Sequence, residues 1–257
     1  MKDPVTYVLI AGAWGGGWVW RRVEPTLRSA GHAVFTPTLT GLAERAHLAS
    51  PQVNLDTHVQ DVVSLLQVED LEKVVLVGWS YGGMVITGVL EAVPERLAHV
   101  VYLDAEAPRD GESEFDVAGP ELRDAMEESA RTSGDGWSAS LGDEAAITEL
   151  FGPMLPDAET MRWFARKVAG QGQPIETFRQ PVRIANPSAD DVPRTFLRCP
   201  IAGEAWAGVY DPIVERLRDD RRWRVRELQT SHLAPLRDPR LVAETLLDIS
   251  RDPRNAA

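Results

Sequence analysis

Short apolar runs alternate with helical patterns along the first part of this chain. The apolar runs are typical of buried strands and cover residues 7–10, 32–36, 74–77 and 100–103. Apolar residues at helical spacing predict the intervening helices, over 18–30, over a segment that Asp56 caps and over 83–93. Short buried strands separated by helices are typical of a parallel sheet that is covered on both faces.

The pattern changes after Pro108. Residues 109–189 are rich in Asp, Glu, Ser and Gly and hold amphipathic pieces at 121–132, 145–151 and 159–168. The alternation then resumes, with strands predicted at 195–199 and 223–228 and helices at 212–218 and 239–250. We therefore predict an α/β fold with a mostly parallel central sheet of about six strands flanked by helices. Residues 1–108 and 190–257 form its core, and 109–189 form a helical cap over the C-terminal edge of the sheet.

Composition narrows the class of protein further. At 257 residues the chain is long enough for one large α/β domain with a full core. A net charge of −12 disfavours a nucleic acid or an anionic membrane as a partner. Cys199 is the single cysteine and excludes an internal disulfide. Because no apolar run is long enough for a signal peptide or a membrane span, we expect a cytoplasmic protein.

The strongest chemical signal is a serine between two glycines, in Gly78-Trp79-Ser80-Tyr81-Gly82. It follows a predicted strand and precedes a predicted helix, which is the context of a nucleophilic serine on a sharp, strained turn. A side chain at either glycine would collide with neighbouring backbone there. The helix that follows directs its free N–H groups and its positive end at the point where an oxyanion would form. We therefore predict that Ser80 is a catalytic nucleophile.

Together with this turn, three further stretches resemble the α/β-hydrolase superfamily, and the resemblance runs over nearly the whole chain. The stretches are residues 8–18, residues 37–42 and Ser231-His232-Leu233. The likeness is greatest to the small-cap branch, which contains hydroxynitrile lyases, plant methyl esterases and bacterial carboxylesterases of the pyrethroid type. The resemblance implies that the leading hairpin of the family is missing, because the first strand here corresponds to the family's third.

A serine hydroxyl is a poor nucleophile until an imidazole takes its proton. His232 follows the last predicted strand, where the family places this base, whereas the other histidines lie near the ends of ordinary elements. The resemblance places the acid that orients the base in the loop 200–211. Glu204 suits the spacing there, although the family more often has Asp at this position. Asp104 and Asp211 remain alternatives for the same role.

The oxyanion requires backbone N–H donors. Tyr81, directly after the serine, is predicted to supply one of them. The resemblance places the second at Ala13 in the glycine-rich loop, with Trp14 next in line. The family usually has His-Gly after this strand, whereas this chain has Ala11-Gly12. The difference affects the geometry of the loop more than its chemistry.

Two tryptophans, Trp14 and Trp79, flank the predicted oxyanion loop and the serine. Aromatic walls of this kind suit a pocket for an apolar or aromatic group, so we predict that both tryptophans bind substrate. The histidines lack the spacing of metal ligands, and no G-x-G-x-x-G follows a strand. We therefore predict neither a metal nor another cofactor.

These features predict a serine carboxylesterase that hydrolyses esters of apolar or aromatic small molecules through an acyl-enzyme. Cyanogenic relatives that resemble this chain carry a threonine at the position of Gly12 and a lysine directly after the catalytic histidine. This chain has Gly12 and Leu233, and neither side chain donates a hydrogen bond or carries a positive charge. Two alternatives stay open: a lyase, cyclase or rearrangement enzyme of secondary metabolism on the same scaffold, and a catalytically silent receptor for a small ligand.

Overall fold

Strands and helices alternate in a computed structural model that describes residues 4–201 and 208–252. The strands are β1 (Thr6–Ile10), β2 (Ala33–Phe35), β3 (Val74–Ser80), β4 (Leu97–Ala105), β5 (Ser138–Ala139), β6 (Gln173–Pro174), β7 (Arg194–Arg198) and β8 (Trp223–Glu227). The α-helices are α1 (Glu24–Ser29), α2 (Leu55–Val68), α3 (Gly82–Ala92), α4 (Glu114–Ala118), α5 (Pro120–Ser133), α6 (Glu144–Phe151), α7 (Ala158–Val168), α8 (Glu176–Arg179), α9 (Asp211–Arg218), α10 (Ala234–Arg237) and α11 (Pro239–Arg251).

Six of the strands form one sheet in the order β2-β1-β3-β4-β7-β8. Each neighbouring pair in this sheet is parallel, which confirms the predicted fold class. The central strand β3 is buried over its first six residues, as expected where helices cover both faces of a sheet. Because all six strands run the same way, their carboxyl ends meet at one edge, where β3 ends at Ser80.

Two local predictions near the N-terminus are wrong in detail. The predicted helix over 18–30 is divided into a 3-10 helix, Gly17–Arg22, and α1. Pro25 lies at the start of α1, where its missing N–H costs nothing and its fixed φ favours a new helix. The second error concerns α2, which is capped by Asn54 and not by Asp56. The Asn54 side chain accepts a hydrogen bond from the N–H of Thr57, in a reciprocal capping box.

The segment 109–189 contains the three predicted amphipathic helices as α5, α6 and α7. It also contains the short helices α4 and α8 and an antiparallel ribbon of β5 and β6, which pattern reading did not find. Each strand of this ribbon has only two residues, and two residues are too few to show an alternating pattern. Among residues 4–201 and 208–252, no helix is both long enough and apolar enough to span a bilayer.

A buried histidine beneath the serine turn makes the stability of the fold depend on pH. His58 lies between the Tyr81 hydroxyl and the Thr40 carbonyl, each 2.9 Å from one ring nitrogen. Burial lowers the pKa of His58 from 6.5 to about 4, so an unfolded chain takes up the proton at a higher pH than the folded one. We therefore expect the free energy of unfolding to fall by about 3 kcal/mol through His58 as the pH drops from about 6.5 to about 4.

Urea unfolding at several pH values in this window measures the effect. The variant His58→Gln should lose the part of the pH dependence that His58 supplies, even if it is less stable throughout. His47→Gln is the matched control, since His47 is exposed and should leave the dependence unchanged. His99 contributes in the same direction, because burial lowers its pKa to about 4 as well. Equal pH dependence in wild type and His58→Gln would contradict the assignment.

Candidate active site

Ser80 occupies the turn between β3 and α3 in a left-handed conformation, with φ of 55°. Non-glycine residues rarely adopt this region, and such strain is typical of a nucleophile on a sharp turn. Close contacts with neighbouring backbone atoms require glycine on both sides of the serine, at positions 78 and 82. A Cβ atom at Gly78 would lie 2.6 Å from the Gly82 carbonyl oxygen, and one at Gly82 would lie 2.9 Å from the Ile10 carbonyl oxygen. The two glycines are therefore fixed by packing, as the sequence motif predicts.

The glycine-rich loop after β1 passes directly beside the serine. A Cβ atom at Gly12 would lie 2.7 Å from Cβ of Ser80 and 3.2 Å from its Oγ, so no other residue fits here without moving the serine. In the same loop, the N–H of Trp14 already donates to Oε1 of Gln173 at 2.8 Å. By contrast, none of the loop and cap hydrogen bonds of the described residues uses the N–H of Ala13 or Tyr81. Unlike the N–H of Trp14, these two N–H groups are therefore not engaged in loop or cap hydrogen bonds.

His232 lies between β8 and α10 and is 4% exposed. Its Nδ1 is 3.0 Å from Oδ2 of Asp104. The imidazole packs against the ring of Trp79, with centroids 5.4 Å apart, and is stacked on the ring of Tyr210 at 5.6 Å. The indole N–H of Trp79 also donates to the backbone carbonyl of His232. The imidazole is thus in contact with two aromatic rings and is bound at one ring nitrogen.

Asp104 reaches His232 because β4 is irregular at its end. The pairing of β3 with β4 shifts between Trp79 and Ser80, so that Ser80 pairs with Ala105, and Asp104 has φ of 44°. Its Oδ1 accepts from the backbone N–H of Cys199 at 2.8 Å and from Arg198 at 3.3 Å. With both oxygens bound, this carboxylate is fixed in one orientation.

The other two candidates for the acid that orients His232 are Asp211 and Glu204. Asp211 pairs with Arg198 at 2.9 Å, and its side chain is 60% exposed. Glu204 lies in 202–207, outside the described residues, so its assignment stays a prediction. Among the described residues, the carboxylate in contact with His232 is that of Asp104, which the sequence kept only as an alternative.

Ser80 and His232 line one small cavity, of about 40 Å³, together with Ala13, Trp14 and Trp79. Further walls come from the segment 109–189, through Leu141, Phe151, Phe164 and Val168. A cavity of this size has room for about two water molecules, so a substrate requires some of these side chains to move. Two larger grooves of about 670 Å³ each lie away from Ser80, are open to solvent and are lined mostly by polar side chains.

Pattern reading missed three buried polar residues, Glu106, Glu114 and Tyr210, of which Tyr210 contacts His232. Glu106 and Glu114 are 5% and 3% exposed, and Tyr210 is 3% exposed. The sequence holds one sign of them, since Glu106 lies between Ala105 and Ala107, directly after β4. The remaining histidines take structural or surface positions. Within the described part of the chain, no group of three His, Cys, Asp or Glu side chains is arranged to hold a metal ion.

The sequence matches the family model described as "Alpha/beta hydrolase family" over residues 7–245. The chain belongs to this family. It is 39% identical to the carbendazim hydrolyzing esterase of Nocardioides sp. (strain SG-4G) over 184 residues, which are 70% of this chain and 73% of that protein.

Two further comparisons cover almost the whole hydrolase. Polyneuridine aldehyde esterase of Rauvolfia serpentina is 24% identical over an alignment of 270 positions, which covers 97% of each protein. Among solved structures, an extracellular α/β-hydrolase from a Paenibacillus species superposes with a TM-score of 0.78 at 24% identity, over 97% of this chain and 100% of that one. At this identity the structural likeness shows the fold.

Proposed function

We propose that this α/β hydrolase is a serine carboxylesterase that cleaves esters of apolar or aromatic small molecules through an acyl-enzyme. The observation that carries the proposal is the buried contact between His232 and Asp104, at 3.0 Å, behind a cavity that both His232 and Ser80 line. A carboxylate on Nδ1 leaves Nε2 as the nitrogen that can take a proton from a serine hydroxyl. Ser80, His232 and Asp104 then form the catalytic set.

In the first half of the proposed reaction, Ser80 attacks the ester carbonyl while His232 takes the hydroxyl proton. Asp104 holds the imidazole and stabilises the imidazolium that forms. The N–H groups of Ala13 and Tyr81 receive the negative charge on the carbonyl oxygen. The proton on His232 then passes to the departing alcohol, and the acyl group remains on Ser80.

In the second half, His232 activates a water molecule that attacks the acyl-enzyme. The acyl group leaves as a carboxylic acid, and Ser80 regains its proton from His232. The elements of 109–189 act as the cap in this proposal, because Leu141, Phe151 and Phe164 line the same cavity as Ser80. With Trp14 and Trp79 they give the substrate a mostly apolar surface.

The comparisons support an esterase over the alternatives. Two relatives that cover most of this chain carry names of ester-cleaving enzymes. Gly12 and Leu233 disfavour a lyase that eliminates cyanide. A threonine at Gly12 would place its Cβ 2.7 Å from that of Ser80, and Leu233 is fully buried and apolar, so neither position supplies a donor or a positive charge.

Labelling with a fluorophosphonate probe tests the proposal, because the probe reacts only with an activated serine. Intact mass should show a single adduct on wild type and none on Ser80→Ala. Ser133→Ala should keep the adduct, since Ser133 is an exposed serine of α5. Release of nitrophenol from esters with short and long acyl groups should accompany the adduct. A folded wild-type protein that forms no adduct and hydrolyses no ester would favour a non-hydrolytic reaction.

A further inference from the structure

A second carboxylate, that of Glu106, follows Asp104 by two positions and is connected to the candidate base through Tyr210. The hydroxyl of Tyr210 donates to Oε1 of Glu106 at 3.0 Å. The ring of the same tyrosine is stacked on the imidazole of His232, with centroids 5.6 Å apart and planes within 19°. Tyr210 therefore links Glu106 to His232 through one hydrogen bond and one ring contact.

The same tyrosine also reaches the candidate nucleophile. Ser80 interacts with the Tyr210 hydroxyl and lowers its pKa, although burial raises that pKa well above the usual value. The backbone adds a further connection, since the N–H of Glu106 donates to the Ser80 carbonyl at 3.3 Å. Glu106 is thus tied to both candidate catalytic residues.

Glu106 is a buried carboxyl group without a basic partner among the described residues. Among the described residues no Arg or Lys pairs with it, and its Oε2 has no hydrogen-bond partner. Burial raises the pKa of Glu106 to about 7, and the charge of His232 opposes this rise. Near and above neutral pH, a negative charge therefore forms in a dry environment close to the imidazole, where charge interactions are strong.

A neighbouring acid stays neutral. Burial and the charge of Glu106 raise the pKa of Glu114 well above its ordinary value, so Glu114 keeps its proton and the pair carries a single charge. The ionisable side chains that act on or contact Glu106 are Asp104 of β4, Tyr81 at the start of α3, Glu114 of α4, Tyr210 before α9 and His232. Arg216 of α9 binds the carbonyl of the next residue, Ala107.

We propose that Glu106 is a second positioning carboxylate for His232, acting through Tyr210 and favouring the imidazolium that forms when Ser80 attacks. Asp104 orients the imidazole from its Nδ1 edge, whereas Glu106 acts on it from the face covered by Tyr210. The inference rests on the proposed esterase function.

The test compares Glu106→Gln with Glu114→Gln. Both replacements keep the size of a buried side chain, but only the first removes a charge. In Glu106→Gln we expect kcat to fall roughly tenfold at about pH 8 with KM unchanged. The acid limb of the kcat/KM profile should move to lower pH, because the imidazolium loses a charge that stabilises it. In Glu114→Gln both quantities should stay close to wild type.

The variant Tyr210→Phe tests whether Glu106 acts on His232 through the Tyr210 hydroxyl. It keeps the ring on His232 but removes the hydrogen bond that favours ionised Glu106, so it should reproduce the effect of Glu106→Gln. The double variant should then lose no more than either single variant, as expected for two residues that act as one unit. An additive loss in the double variant would contradict an action through Tyr210.

Titration of the His232 imidazole by NMR separates this inference from the esterase proposal, because it needs no turnover. His232 should take up its proton at lower pH in Glu106→Gln than in wild type or Glu114→Gln. An identical titration in all three would overturn the inference, whatever the ester assay shows. A wild type without turnover but with the expected shift would contradict the esterase proposal alone.

Discussion

Replacing His232 by alanine is expected to lower kcat for ester hydrolysis by roughly 10⁴-fold or more. The reason is that no other described side chain in contact with Asp104 can take the proton of Ser80. The imidazole is 4% exposed and fixed by Asp104 at 3.0 Å, so it is held in place before substrate arrives. Steady-state rates with a nitrophenyl ester, together with intact mass after fluorophosphonate treatment, measure the loss.

We expect the variant His232→Ala to keep the native fold. The hydrogen bond that ties the loop to β3 runs from the indole of Trp79 to the backbone carbonyl of His232, and alanine keeps that carbonyl. His47→Ala removes an exposed histidine and should leave the rate unchanged. A His232→Ala protein with wild-type turnover would show that the base lies elsewhere and would remove the mechanism proposed above.

Replacing Asp104 by asparagine is expected to lower kcat by about 10³ to 10⁴-fold, while Glu204→Gln stays within a few-fold of wild type. An amide beside Nδ1 stabilises the wrong tautomer of the imidazole, and it no longer stabilises the imidazolium. Asp211→Asn should also have little effect, because Asp211 is bound to Arg198 at the surface. Rates of the three variants, measured side by side, identify the acid.

The reverse result would also be informative. A large loss in Glu204→Gln and a small one in Asp104→Asn would assign the acid to the loop 200–211 and would leave Asp104 as a structural residue. Thermal unfolding of each variant is needed beside the rates, because Asp104 also binds Arg198 and the backbone of Cys199. A loss of rate at unchanged unfolding temperature reports on the chemistry and not on the fold.

The serine turn could be predicted from the sequence because its residues form a motif of five adjacent positions. Gly78 is required by the Gly82 carbonyl within the same turn, whereas the constraint on Gly82 comes from the Ile10 carbonyl of β1. The strands β1, β3 and β4 were equally clear, since burial on both faces produces continuous apolar runs. His232 was found by its position after the last strand, which the family resemblance supplied.

Residues brought together by the sheet could not be found in this way. Asp104 and His232 are 128 positions apart, and their contact depends on the irregular pairing of Ser80 with Ala105. No spacing rule predicts such an irregularity. The sequence therefore favoured Glu204 by its distance from His232, whereas tertiary packing placed Asp104 on the imidazole.

By itself the sequence determined the fold class of this hydrolase, and it predicted Ser80 as the nucleophile and His232 as the base. Hydrophobic periodicity and turn chemistry depend on residues that are close together in the chain, so they can be recognised in the sequence alone. Only the tertiary structure showed that Asp104 meets His232, that Tyr210 is stacked on the imidazole and that Glu106 binds Tyr210. These are contacts between distant elements, and their strength comes from burial, which a linear pattern does not contain.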